Sequence, residues 1–196
     1  MPGTSVRPGW PKAGPGWPGM TGTMNELALT IRAEIPEDDA AIERLHERTF
    51  GPGRYARTAF RIREGRRHLL SVSFTAHIGT LLVGSVRLTP VRIGATPALL
   101  LGPLTVEPPF RSHGIGRKLM ERALADAKAQ GHRLVFLVGD EPYYGRIGFK
   151  AVPKKQVTMP GPVDPARLLV AELEPGAFDG VAGTVLPDWE ITTSSN

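Results

Sequence analysis

Residues 104–120 read LTVEPPFRSHGIGRKLM, and this junction constrains the fold more than any other stretch. A strand-like LTV stops at two prolines, a loop with two glycines follows, and from Ile115 apolar residues recur at helical spacing. Ile115, Leu119, Met120, Ala123, Leu124 and Ala127 share one face of a helix over 115–130, and Gly131 supplies its stop. The chain must therefore hand a β-layer directly to a packed helix. The first amides of a helix have no partner within it. The aligned peptide dipoles add about half a positive charge at that end. Gly114 and Gly116 lack Cβ atoms, so an anion can approach the backbone, and Arg111, Arg117 and Lys118 supply countercharge. A dinucleotide fingerprint would need a third glycine where Leu119 stands, and a phosphate loop would need Gly-Lys-Ser/Thr. Neither is present. A plain strand-to-helix turn would use the same glycines, so the junction alone leaves both readings open.

The rest of the chain supplies the layer. Leu27, Leu29 and Ile31 alternate as in a short strand, and Pro36 followed by Glu37, Asp38 and Asp39 marks a helix start. RYARTAFRIREG (54–65) reads as a second helix, rich in arginine. From 68 to 106 the signal is β: two runs split around Gly79, then ALLLGPLTV (98–106), where Pro103 should make the strand bulge or splay. RLVFLV (133–138) reads as a buried strand, PYYGRIG as a short helical turn, FKAV as a short strand and RLLVAEL (167–173) as a last strand. The expectation is a mixed α/β domain of the α+β type with a largely antiparallel first half, spanning 24–175. Residues 1–23 hold 11 prolines and glycines and no apolar run, which predicts a disordered leader, with Met24 an alternative start. Residues 176–196 are expected as a tail extending or packing on the domain.

Composition narrows the partners. Absence of cysteine rules out disulfides, thiolate metal sites and a cysteine nucleophile, and fits a reducing, cytoplasmic setting. No apolar run is long enough for a bilayer. His46, His68, His77 and His132 show no ligand spacing, so no metal is expected. The formal net charge is +5, with 18 arginines and 6 lysines. That balance suits an anionic ligand. Nucleic acid is the weaker reading, since no stacking aromatics accompany the charge.

A second motif, YYGRIGF (143–149), decides between the readings of the junction. RSHGIG (111–116) after LTV, followed at the right distance by an aromatic-Tyr and a Gly-Phe, resembles the GNAT superfamily of N-acetyltransferases, in particular its YhbS-like bacterial branch, over roughly residues 27–155. The resemblance implies a splayed, mainly antiparallel sheet flanked by helices. It implies acetyl-CoA as co-substrate, with its pyrophosphate on Arg111, Ser112, His113, Gly114, Ile115 and Gly116 and with Arg117 and Lys118 nearby. Ser112 and His113 depart from the glycine and basic residue frequent in the family. The pantetheine arm would pair with Leu104, Thr105 and Val106, where an amide would polarise the thioester carbonyl. Tyr144 matches the family's tyrosine acid beside the sulfur. The expected reaction is direct attack by a primary amine, on a small molecule, a peptide N-terminus or a lysine. The general base is open among Asp140, Glu141, Glu107 and water, and Asp140 could instead cap the EPYYG turn. The arginine-rich segment 54–68 lies where an acceptor-side helix belongs, and RLLVAEL could pair with a second copy to give a homodimer. A binding module of the same fold without turnover is the rival reading.

Overall fold

Alternating apolar residues and glycine turns build the strands of the described residues into one nine-stranded sheet. The computed structural model describes residues 28–51, 59, 62 and 68–188. Strands β1 (Leu29–Ala33), β2 (Phe74–Ile78), β3 (Leu81–Ile93) and β4 (Thr96–Val106) lie side by side, each antiparallel to the next. Helix α1 (Asp39–Phe50) is inserted between β1 and β2. Helix α2 (Ile115–Ala129) then crosses over, so that β5 (Leu134–Val138) runs parallel to β4. The sheet is completed in the order β5-β8-β6 by β8 (Leu168–Glu172) and β6 (Lys150–Ala151). Farther along, β9 (Gly183–Pro187) pairs with the far end of β3 and with β7 (Val157–Thr158).

The period-two pattern sorts residues onto two faces. One face packs Phe74, Val86, Leu88, Leu99, Leu101, Val135 and Leu137 under Leu119, Met120, Ala123 and Ala127 of α2. Gly84 gives α2 its seat: a Cβ there would lie 3.1 Å from Leu119 and 3.2 Å from Ile115. The opposite face buries Val91, Leu100, Phe136, Val170 and Val185, with Ile62 against them. There α1 adds a small cluster of Ile42, Leu45 and Leu82. Full burial of each such Leu or Phe contributes roughly 1.5–3 kcal/mol.

Several expectations shift. The β-run forecast from 68 begins at Phe74, because Leu70–Val72 form a 3-10 turn in which Val72 N–H bonds to the Leu69 carbonyl. The helix forecast at 54–65 lies outside the described residues, except for Ala59 and Ile62, which are helical. FKAV gives only the two-residue β6. RLLVAEL is not a free edge: β8 pairs along its length with β5, and β6 covers Leu169 and Val170 on its other side. Sequence reading missed β7 and β9 altogether. Gly94 and Gly183 make the β9 contact possible, since a Cβ on Gly94 would meet the Ala182 carbonyl at 2.3 Å. The bulge foreseen at Gly102-Pro103 is present: Leu88 pairs with Leu101 and Val86 with Leu104, so β4 spends an extra residue there.

Candidate active site

The site begins where β4 leaves β5. Only Leu99 with Val135 and Leu100 with Phe136 pair across them, although β4 runs on to Val106 and β5 to Val138. Beyond the bulge the two strands diverge, each still held by its outer neighbour. The Glu107 N–H donates to the Val83 carbonyl at 2.9 Å. By strand alternation, Leu104 and Val106 therefore turn their amides and carbonyls into the gap. Arg111 reaches back to that edge, its Nε donating to the Val106 carbonyl at 3.3 Å.

The junction that opens α2 lies against this lip. Pro108–His113 form a 3-10 turn, and Gly114 takes a left-handed φ of 70°. The first ladder bond into α2 is Lys118 N–H to the Gly114 carbonyl, 3.1 Å. The amides of Ile115, Gly116 and Arg117 precede that bond and so have no acceptor within the helix. No carboxylate occurs from Pro108 to Lys118, while Arg111, His113, Arg117 and Lys118 do. Arg117 is partly engaged with Glu121 at 2.6 Å, and Ser112 Oγ lies 3.4 Å from His113 Nδ1. The residues forecast for the anion, Arg111 to Lys118, are thus contiguous around one helix entrance beside Leu104–Val106.

The two tyrosines divide. Tyr144 is half-buried; its ring lies against Gly139, where a Cβ would meet it at 2.2 Å, and stands edge-on to Tyr143 and to Phe149. Tyr143 is 46% exposed, and its hydroxyl reaches across to α2. A Cβ on Gly116 would lie 2.8 Å from that hydroxyl, 3.5 Å from Val106 and 3.7 Å from Leu104. Gly116 therefore makes room for the Tyr143 hydroxyl, which the sequence did not reveal. Burial pushes the Tyr143 phenol above its ordinary range.

The carboxylates separate too. Asp140 does not cap the 141–144 turn with its side chain; only its carbonyl accepts the Tyr143 and Tyr144 amides. Arg167 draws the Asp140 carboxylate away, 3.1 Å from Nε, and leaves it 75% exposed. Glu141 is exposed. Glu107 is only 15% exposed and pairs with Arg48 from the end of α1. Among the described residues no three His, Asp or Glu side chains are grouped to hold a metal ion, and no helix is long and apolar enough to cross a membrane.

Sequence reading also missed a polar cluster on the α1 face. Arg87 holds Glu34 through Nε and Nη2, at 3.1 and 2.6 Å, and Asp39 at 2.7 Å, while His68 Nε2 lies 2.9 Å from Glu34. Burial pushes the Glu34 carboxyl up, but the His68 and Arg87 bonds outweigh it and hold the group below its usual range.

A mainly antiparallel sheet that splays beside a cationic helix entrance is the architecture of the GNAT acetyltransferases, and this chain belongs to that family. The Acetyltransferase (GNAT) domain family matches residues 71–151. A GNAT family acetyltransferase from Brucella melitensis, crystallised in complex with acetyl-CoA, is 31% identical; the match covers 77% of this chain and 98% of that one, with a TM-score of 0.55. The uncharacterized N-acetyltransferase YhbS of Escherichia coli K12 is 28% identical over 159 residues, which is 80% of this chain and 95% of that protein. The YhbS crystal structure in complex with CoA has a TM-score of 0.70 at 27% identity, over 81% of this chain and 89% of that one. The protein is accordingly an enzyme, an acetyltransferase of GNAT fold.

Proposed function

We propose that the enzyme transfers acetyl from acetyl-CoA to a primary amine by direct attack, within a domain of residues 24–175 that the tail extends or packs on and in a cytoplasmic setting. The observation that carries this reading is the divergence of β4 from β5 directly beside the unpartnered amides of α2. The pyrophosphate would rest on the entrance from Arg111 through Ser112, His113, Gly114 and Ile115 to Gly116, with Arg117 and Lys118 as countercharge. The pantetheine would extend β4 as an added strand along Leu104, Thr105 and Val106, an amide of which polarises the thioester carbonyl.

Attack by an uncharged amine on that carbonyl gives a tetrahedral intermediate. Its collapse forms the amide and expels the CoA thiolate. Tyr144 is the acid for that thiolate. A tyrosine near pKa ~10 and a thiol near ~8.5 make full transfer uphill by about 2 kcal/mol, so its hydroxyl acts by hydrogen bonding, with transfer late in the step. Two measurements test the reading. Calorimetry with CoA should show binding, and a thiol-release screen of acetyl-CoA against amines should find an acceptor. Tyr144→Phe should lower kcat about 10–100-fold and move CoA affinity less than about twofold. A well-folded protein that gives no heat with millimolar CoA overturns it.

A further inference from the structure

The face of β3 and β4 turned away from α2 carries buried hydroxyls that no atom of the described residues satisfies. Ser85 and Thr105 are register partners on β3 and β4, 0% and 1% exposed, and among the described residues neither side-chain oxygen has a hydrogen-bond partner. The Thr49 Oγ1 atom on α1 is likewise buried and unpartnered among them, although the residue is partly exposed. It belongs to the stripe Ile42, Leu45, His46, Thr49 that faces the sheet. A buried hydroxyl without a partner carries its full desolvation cost, and native chains seldom leave one so. Valine would fill the Thr105 position equally well if packing were the only demand. These groups lie at one functionally distinct place. Leu104 and Val106, on either side of Thr105, turn their side chains toward Gly116 and the Tyr143 hydroxyl. Thr105 turns the other way, toward α1. Two residues on, Glu107 shares that side, where Arg48 of α1 holds its carboxylate.

We propose that Ser85, Thr105 and Thr49 hold water at the acceptor side of the gap and that this water passes the proton of the incoming ammonium to Glu107. The inference rests on the acetyl-transfer reading and deepens it by assigning the base. The ammonium gives one proton to the held water as that water gives one to Glu107, leaving an uncharged amine to attack the thioester. The second amine proton leaves on the collapse of the intermediate, toward the thiolate on the tyrosine side. Glu107, partly exposed, returns its proton to solvent. Arg48 keeps its charge throughout and acts as a positioning residue. Among the described residues, the other charged or titratable groups on the neighbouring elements include Glu47 and His46 on α1, Arg111 and His113 in the turn that follows, and His77 on β2, opposite Leu82 of β3.

The test compares Thr105→Val, Ser85→Ala, Glu107→Gln and the double variant Thr105→Val/Glu107→Gln, using the amine that releases thiol fastest with wild-type protein. Glu107→Gln should lower kcat/KM about 100-fold while CoA affinity stays unchanged. Thr105→Val and Ser85→Ala should each lower it about 10-fold, with CoA affinity unchanged, and the double variant should be no worse than Glu107→Gln alone. Full activity in Thr105→Val, beside a wild type that binds CoA and turns over, overturns this inference and leaves acetyl transfer intact. Absence of CoA binding by the wild type ends both. If CoA binds but no amine reacts, thermal melting decides: a hydrated Thr105 predicts a lower Tm for Thr105→Val, and a higher Tm than wild type overturns the proposal.

Discussion

The two faces of the sheet near the splay differ: both bury apolar side chains, but only one of them also buries a row of polar ones. Toward α2, strands β2 to β4 present Phe74, Ala76, Val86, Leu88, Leu99 and Leu101, all buried and apolar. Toward α1, the same three strands bury Thr75, Ser85, Arg87, Thr89 and Thr105. Both faces are covered by a helix, so burial alone does not account for the difference. The apolar face fixes where α2, and hence its amide entrance, stands relative to β4. The polar face is costly to bury, and its charged part survives only because Arg87, Glu34, Asp39 and His68 satisfy one another. One face positions the α2 entrance beside β4 through packing and backbone; the other carries the side chains on which the proposed proton path depends.

The largest effect that would break this contrast is on the polar face. Glu34→Ala leaves Arg87, 8% exposed, without its main partner, and should destabilise the fold by about 3–5 kcal/mol in chemical unfolding. The pH dependence has a definite sign. Because the folded Glu34 carboxyl is held below its usual range, its stabilisation is fully present above the ordinary Glu value. It is lost as pH falls through the lower, folded value. Asp38, where the Arg32 and Ile35 bonds overcome the upward push of burial, acts in the same direction. Wild-type stability should therefore decline on acidification below about pH 4, and Glu34→Ala should show a shallower decline. An equal slope in the two proteins would mean that the cluster is not what holds this face together.

A smaller effect sharpens the other side of the comparison. Gly116→Ala puts a Cβ 2.8 Å from the Tyr143 hydroxyl, and the half-exposed ring must swing away. If Tyr143 lies over the coenzyme path, Gly116→Ala should weaken CoA binding about 10-fold, and Tyr143→Ala should weaken it by a similar amount. The double variant should then be little worse than either alone, since both remove the same contact. Losses that multiply would mean that Gly116 serves the anion directly and Tyr143 does something separate.

These contrasts explain what the sequence could reveal. The α2 stripe, the β4 bulge at Pro103 and the entrance at Gly114 are written in local periodicity and in glycine and proline, so they are legible. Arg87 and Glu34 are 53 residues apart, and nothing in RLTP or AEIP announces that they meet. Ser85 and Thr105 look like ordinary strand residues until register sets them opposite each other. Tyr143 and Tyr144 are adjacent, yet about 100° of helical rotation sends one to Gly116 and the other to Phe149. A motif marks the pair but cannot say which ring faces the entrance. Strand β9 was lost for a related reason: its partner is the end of β3, some ninety residues earlier, and GTVLP carries too little alternation to stand alone.

The smallest expected effect concerns the charges at the entrance. Arg117 is 68% exposed and already paired with Glu121 one helical turn on, so removing it should leave stability nearly unchanged. Its effect on CoA should be larger than its effect on folding, because a diphosphate at the proposed site would bring charge to the end of α2 that water and Glu121 otherwise share. Arg117→Ala should weaken CoA binding about threefold at low salt, and the difference should shrink as ionic strength rises. Glu121→Ala frees the same guanidinium and should tighten binding by a comparable factor. Opposite shifts from two partners of one surface pair would show that the entrance attracts the coenzyme by charge as well as by its amides. No shift from either would mean that Arg117 contributes nothing to the anion site beyond its backbone amide.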